Sequence, residues 1–186
     1  METVGLAQRL YNSYPHELDG GRRQRIGIAR ALALSPKFVV CDEPVSALDV
    51  SIQAQILNLM KDLQEEKKIT YMFITHDLSV VRHMSDEIIV MYLGVVVEKC
   101  PVEMLFKKQL HPYTKALLSA IPNRDLDAKK KRVILKGEIT SPINIGPECR
   151  FAARCNYATE KCFKEGPQLR IVEDNHFAAC HFAENL

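Results

Sequence analysis

Phe38-Val39-Val40-Cys41-Asp42-Glu43-Pro44 opens with four β-favouring apolar residues and closes on two adjacent carboxylates and a proline. A run this short and this uniformly apolar is expected to be a strand covered on both faces, as in a parallel sheet. It delivers Asp42 and Glu43 at its C-terminal end, where open α/β sheets place their ligands. Ser46-Ala47-Leu48-Asp49 follows, and Asp49 or Ser51 is placed to cap a helix over residues 51–66 with an apolar stripe of Ile52, Ile56, Leu57, Leu59, Met60 and Leu63. A second apolar strand, residues 69–74, ends in Thr75-His76-Asp77 and brings His76 to the same edge.

Upstream, residues 1–35 read as helical with a break at Tyr14-Pro15-His16. Gly20-Gly21 stands just before a helix whose Ile26, Ala29, Ala33 and Leu34 recur at helical spacing until Pro36. Downstream, a short helix over 78–84 leads to strands over 87–92 and 95–98 hinged at Gly94, then to helices over 102–107 and 112–120. Strands alternating with helices predict an α/β sandwich around a mainly parallel sheet, with the Gly94 hairpin as its antiparallel edge. Residues 1–122 are read as one domain and residues 123–132, which include Lys129-Lys130-Lys131-Arg132, as a solvated charged linker. Residues 133–186 form a small tail, too short to build its own core without a staple.

The 186 residues carry 25 Lys and Arg against 23 Asp and Glu, for a net charge of +2, and 47% are apolar. So balanced a chain has no global field for gathering nucleic acid or anionic lipid, and any phosphate chemistry must be local. Without Trp and with 7% aromatics there is little material for base stacking, so no nucleic-acid partner is expected. The longest nearly unbroken apolar stretch, residues 88–97, is about half of what a membrane-spanning helix requires. The opening METVGLAQRL has neither the basic start nor the apolar run of a secretory signal, and a cytosolic site is the expectation.

Two glycines at a helix start let backbone N–H groups approach an anion, and the helix adds unpaired donors and a positive dipole end. Leu18-Asp19-Gly20-Gly21-Arg22 has that form, and it equally reads as a turn before a solvated Arg-rich face. Asp42 and Glu43 suit a division of labour in which one carboxylate holds Mg²⁺ through water and the other polarises an attacking water. A polar strand exit would look the same. His76 alone is as readily a structural hydrogen-bonding residue, and Asp49 a plain helix cap.

Cys41 and Cys100 stand alone, whereas Cys149, Cys155, Cys162 and Cys180 all follow position 148. In a reducing compartment such a cluster points to metal before disulfides. The spacings lack the paired C-x2-C knuckles of typical zinc sites, yet four thiolates suit either zinc or an iron–sulfur cluster. Free thiols or a disulfide are the third reading, and His176 and His181 are candidate substitute ligands.

Taken in order, the Gly-Gly helix, the Asp-Glu-Pro strand, Ser-Ala-Leu-Asp and the Thr-His-Asp strand resemble the C-terminal half of an ABC-type ATPase domain, a RecA-like P-loop NTPase fold. The likeness places Leu18 to Arg22 at the signature loop, Asp42 and Glu43 at the Walker B strand end, Asp49 in the D-loop and His76 at the switch histidine. Met91-Tyr92-Leu93-Gly94, His111-Pro112-Tyr113-Thr114, Leu117-Leu118-Ser119-Ala120-Ile121-Pro122 and the tail from Cys149-Arg150-Phe151 look like the oligopeptide/dipeptide importer subfamily. The resemblance implies ATP and Mg²⁺, with Asp42 holding the metal through water, Glu43 positioning water and His76 contacting the γ-phosphate. Asp19, Gly20, Gly21, Arg22 and Asp49 would then complete a nucleotide site. It implies a second ATPase subunit bound head to tail in a heterodimer, membrane permease subunits, an extracytoplasmic peptide-binding protein acting indirectly, and a place on the cytoplasmic face of the cell membrane. It also favours [4Fe–4S] over Zn²⁺ on Cys149, Cys155, Cys162 and Cys180.

The chain departs from the family pattern twice. No Gly-x4-Gly-Lys-Ser/Thr occurs in it, so it resembles about half a domain and is expected to be inactive alone. The signature, usually Leu-Ser-Gly-Gly-Gln, has Asp19 and Arg22 in its second and fifth places. Asp19 turns a charge toward phosphate at a repulsion of about 1 to 4 kcal/mol per pair near 4 Å, and Arg22 one turn on opposes it. The rival functions are a soluble non-transport ABC ATPase and a truncated metal-binding regulatory module without ATPase activity.

Overall fold

The computed structural model describes residues 2–121, 132–137 and 146–185, and the expected linker lies, apart from Arg132, outside the described residues. The chain divides into two units, Met1–Met84 and Ser85–Leu186. In the first, helix α1 spans Gly20–Leu32, strand β1 Phe38–Asp42, helix α2 Val50–Lys67, strand β2 Thr70–Ile74 and helix α3 Leu78–Met84. β1 and β2 pair in parallel with Phe38 opposite Thr70 and Asp42 opposite Ile74, and α2 is the crossover between them. The expected helix over 1–19 is instead a set of single 3-10 turns at Glu2–Val4, Gln8–Leu10 and Pro15–Glu17. Gly5, at φ +65°, and Pro15 each break a continuous helix there.

The apolar stripe of α2 faces the core as expected: Ile56, Leu57, Met60 and Leu63 are buried with Val4, Ile28, Cys41, Val45 and Val80. α1 enters this core through its N-terminus. A Cβ at Gly21 would lie 2.6 Å from Cγ2 of Ile52, and one at Gly20 would lie 3.0 Å from Leu48. Gly21 is therefore demanded by close packing of α1 on the segment that opens α2, and Gly20 sits in tight contact beside it. Each of these two helices is capped by an aspartate: Asp19 accepts the N–H of Arg22 at 2.8 Å and Asp49 that of Ile52 at 3.0 Å.

Two expectations about the sheet are corrected. β1 is not covered on both faces: Phe38 and Val40 are about half exposed, as are Met72 and Ile74 beside them on β2. Nor do the strands form one mainly parallel sheet, because among the described residues the parallel part is a single pair and the Gly94 hairpin belongs to a separate antiparallel sheet.

That sheet is the heart of the second unit. Strands β3 (Glu87–Tyr92) and β4 (Val95–Pro101) turn tightly through Leu93 and Gly94, both at positive φ (46° and 79°), as a two-residue hairpin requires. Helices α4 (Val102–Lys107) and α5 (Pro112–Ser119) follow, and the tail adds a short helix α6 (Glu160–Lys164) and strands β5 (Arg170–Glu173) and β6 (His176–Ala178). The strand order is β3-β4-β6-β5, with every pairing antiparallel, so the tail is stitched onto β4.

Gly21→Ala is expected to destabilise the first unit by about 1–3 kcal/mol through overpacking, and Ile52→Ala in the same chain should recover part of that loss; urea denaturation of the four variants measures both.

Candidate functional site

The parallel ladder sets Asp42 level with Ile74, and the N–H of Glu43 donates to the Ile74 carbonyl at 2.9 Å, so the two strand ends are pinned together. Glu43 takes a left-handed φ of +46°, held by Ser46, whose hydroxyl and N–H both donate to the Glu43 carbonyl. From there its side chain meets His76, just past β2: Nδ1–H of His76 donates to Oε1 of Glu43 at 2.6 Å. This bond holds the Glu43 carboxyl below the usual carboxylate range, with a smaller contribution from Ser46, and raises His76 above the usual imidazole value. Beyond His76 the chain enters α3 through Asp77, which accepts the N–H of Ser79 at 2.8 Å. Asp42 is exposed at the end of β1, beside Glu43 in sequence. The three residues singled out from sequence thus stand at one strand edge, with an acid–imidazole pair and a second open carboxylate.

Asp19, Gly20, Gly21 and Arg22 lie at the start of α1, and Asp49 at the start of α2. Asp19 uses both oxygens on Arg22, one accepting its N–H and the other paired with Nε at 3.3 Å. Arg22 is therefore turned back onto its own cap.

In the second unit Cys149, Cys155, Cys162 and Cys180 line one small cavity of about 20 Å³, together with His111, Phe151, Tyr157 and His181. The N–H of Cys149 donates to the Cys162 carbonyl at 2.8 Å, which joins those two segments. Backbone N–H groups two residues on point at sulfur, Tyr157 to Cys155 at 3.4 Å and Phe182 to Cys180 at 3.5 Å. Burial pushes the Cys149, Cys155 and Cys180 thiols up; the backbone N–H groups of Phe151, Tyr157 and Phe182 respectively oppose it, and the neighbouring thiols raise all three further. Among the described residues no three His, Cys, Asp or Glu side chains converge closely enough to hold a single metal ion. His181 Nε2–H donates to the Glu165 carbonyl at 3.0 Å, and His176 lies elsewhere, bonded to Glu98. Cys41 and Cys100 are buried apart from the cavity, with burial pushing their thiols up to about 11 and about 12.

Residues 97–162 match the family model described as "Oligopeptide/dipeptide transporter, C-terminal region", and residues 1–46 match that described as "ABC transporter". The chain is 54% identical, over its whole length, to the putative oligopeptide transport ATP-binding protein YkfD of Bacillus subtilis, of which the match covers 57%. It is 54% identical over 97% of its length to the dipeptide transport ATP-binding protein DppF of Haemophilus influenzae, covering 55% of that protein. Over its whole length the chain is similar to ABC-transporter ATP-binding proteins of the oligopeptide/dipeptide branch. Among solved structures, the ADP conformation of MJ1267, an ATP-binding cassette of an ABC transporter, shares the fold at a TM-score of 0.54 and 26% identity, covering 64% of this chain and 47% of that one. The chain spans about half the length of the curated relatives it matches. No helix among the described residues is long and apolar enough to cross a membrane.

Sequence reasoning missed what walls the thiol cavity. Phe151 is nearly fully buried at the centre of an aromatic knot, with ring centroids 5.2 Å from Tyr92 and 5.5 Å from both His111 and Tyr113. Arg150 donates to the Leu93 carbonyl beside it. The three short motifs around Tyr92, His111 and Cys149 are thus one packing unit, a relation that their separation in sequence conceals. Burial pushes His111 down to about 4, and its Nδ1 accepts the Tyr113 N–H at 3.1 Å, so it is a neutral cap of α5.

The pair Glu43–His76 has a defined pH window. Glu43, lowered, contributes above the ordinary carboxylate pKa and loses that as pH falls through its depressed value. His76, raised, contributes fully below the ordinary imidazole pKa and loses that as pH rises through its raised value. An NMR titration should place the His76 midpoint above about 6.5, and Glu43→Gln should bring it down toward that value; a midpoint indifferent to the substitution would dissolve the pair.

Proposed function

We propose that this chain is part of the ATP-hydrolysing subunit of an ABC importer of the peptide class, seated on the cytoplasmic face of the cell membrane through permease subunits. The observation that carries this is the carboxylate–imidazole pair at the C-terminal ends of two parallel strands, with the open carboxylate of Asp42 alongside. Phosphoryl transfer asks the protein chiefly to position and to stabilise charge. Glu43, oriented through His76, accepts a hydrogen bond from the attacking water and aims it. His76, whose Nδ1 is engaged by Glu43, has Nε2 left to meet the γ-phosphate as a donor. Asp42 fits a magnesium ion held through water, because its carboxylate is exposed and uncommitted; such an ion neutralises charge on the phosphate oxygens.

In the assembled protein a second ATPase subunit pairs head to tail with this one in a heterodimer, and the starts of α1 and α2, with Asp19, Gly20, Gly21, Arg22 and Asp49, face its nucleotide. Closure over ATP moves the permease subunits between inward and outward states, and an extracytoplasmic peptide-binding protein supplies the solute. The match of residues 97–162 to a transporter C-terminal region supports this over a non-transport ABC ATPase.

The tail holds a [4Fe–4S] cluster on Cys149, Cys155, Cys162 and Cys180. The support for this is chemical: four thiols line one cavity, with backbone N–H groups directed at the sulfurs of Cys155 and Cys180; at about 20 Å³ the cavity has to widen to take the cluster. A single zinc ion needs sulfurs drawn to about 2.3 Å from one point, and no three of these side chains among the described residues converge on one point, so the thiols draw together on binding either group. When bound, the cluster supplies a covalent staple for a segment with little core of its own.

In the intact subunit, Glu43→Gln should lower ATP turnover by about 10²–10⁴-fold while ATP is still retained in the closed dimer; normal hydrolysis would remove Glu43 from this role. The 186 residues alone, without a P-loop, should show negligible turnover.

Anaerobically purified protein should be brown and contain iron and sulfide, and Cys→Ser at any of the four tail positions should remove the colour and expose the tail to protease, whereas Cys41→Ser should not. Stoichiometric zinc without iron would replace the cluster by a zinc site, and a metal-free, protease-resistant tail would overturn both.

A further inference from the structure

Glu98 and His176 are both fully buried, with His176 Nε2–H donating to Glu98 Oε1 at 2.7 Å. They stand in a sheet otherwise filled here by Val97, Cys100 and Ala178. A buried pair of this kind gains little stability over an apolar pair of the same volume, because desolvation offsets the attraction. His176 even leaves Nδ1 buried without a partner. What a directional contact adds is register.

β6 is three residues long and meets β4 through two residue pairs, Glu98 with Ala178 and Lys99 with Phe177, plus the Ala179 N–H to the Val97 carbonyl at 2.8 Å. So short a ladder specifies its register weakly. A slip of one residue displaces the chain by about 3.4 Å and turns each side chain to the opposite face. Cys180 follows two residues after β6 and packs against Leu110, Ala178 and Ala183. The same Glu98 carboxylate also accepts the N–H of Leu110 at 2.8 Å and of His111 at 3.0 Å. One side chain on β4 therefore grips β6 on one side and the start of α5 on the other, and both lead into the wall of the thiol cavity.

We infer that Glu98 and His176 are positioning residues for the thiol site: their contact sets the register of β6 and so holds Cys180 in the cavity with Cys149, Cys155 and Cys162. The inference rests on the reading of that cavity as a ligand site for its purpose, but the placement of Cys180 requires no metal. The three other thiols reach the cavity through local turns and the Cys149–Cys162 backbone bond, so loss of the Glu98 contact acts on Cys180 selectively.

The test is maleimide labelling of the intact subunit after chelation, followed site by site by mass spectrometry, with far-UV circular dichroism as the check on folding. His176→Leu, which fills the space without a donor, should speed labelling of Cys180 by about tenfold or more through local opening and leave Cys149 and Cys155 near their original rates. His176→Gln, whose amide N–H reaches Glu98, should keep Cys180 slow. Equal Cys180 rates in the two folded variants would overturn the inference. Should His176→Leu not fold, hydrogen exchange on the unmodified protein decides: the amides of Leu110, His111 and Ala179 should open with the same equilibrium that governs Cys180 labelling. Labelling of Cys180 while those amides stay protected overturns it. Iron content is scored separately: a protein without iron in which His176→Leu still frees Cys180 rejects the cluster and leaves the positioning pair standing.

Discussion

The five-residue parallel ladder between β1 and β2 is the constraint on which the candidate site depends. Glu43 and His76 are 33 residues apart in sequence, yet the register that sets Asp42 against Ile74 leaves them in contact at 2.6 Å. A parallel pair cannot be closed by a tight turn, so α2 must run back along the sheet, and its buried stripe of Ile56, Leu57, Met60 and Leu63 is what holds the two strands at that register. The left-handed backbone at Glu43 costs on the order of 1 kcal/mol or more. It persists because the N–H of Glu43 is committed to Ile74 and its carbonyl to Ser46. Strain of this kind at a strand exit turns the carboxylate out of the strand direction and toward the imidazole.

A different constraint governs the start of α1. Gly20 and Gly21 invite a phosphate-binding interpretation, but their small size is already accounted for by Leu48 and Ile52 pressing against them. The glycines bring two helix starts side by side, each ended by its own aspartate cap. With Asp19 spending both oxygens on Arg22, the positive end of α1 is internally compensated. Any anion reaching it competes with a carboxylate that is already there.

Much of the fold was legible because its signals are local. The 3.6-residue stripe of α2, the uniformly apolar β1, the Asp caps, Pro112 at the first turn of α5 and the Leu93–Gly94 turn each announce an element within a few residues. Asp42, Glu43 and His76 were legible as strand-exit residues, though not as a bonded pair, since register is a long-range property. The tail was the least legible. β6 is too short for any periodic signal, and the Asp174-Asn175 turn, with Asn175 at φ +55°, is the one local hint of its hairpin. Glu98 reads in sequence as the polar end of an apolar run. It becomes a central residue only when β6 and α5 arrive from 78 and 12 positions away.

The bare side of the parallel pair, with Phe38, Val40, Met72 and Ile74 about half exposed, bears on how the chain folds as well as on what it does. Parallel pairing across a long crossover is among the slower steps in folding, since loop closure precedes any contact that rewards it. Throughout that step two β-rich apolar segments are presented together, and among the described residues nothing covers one face of the pair fully. Yield on refolding these residues is thus set by a race between crossover closure and strand-to-strand association of separate molecules. Dilution slows the second, which is bimolecular, and leaves the first unchanged.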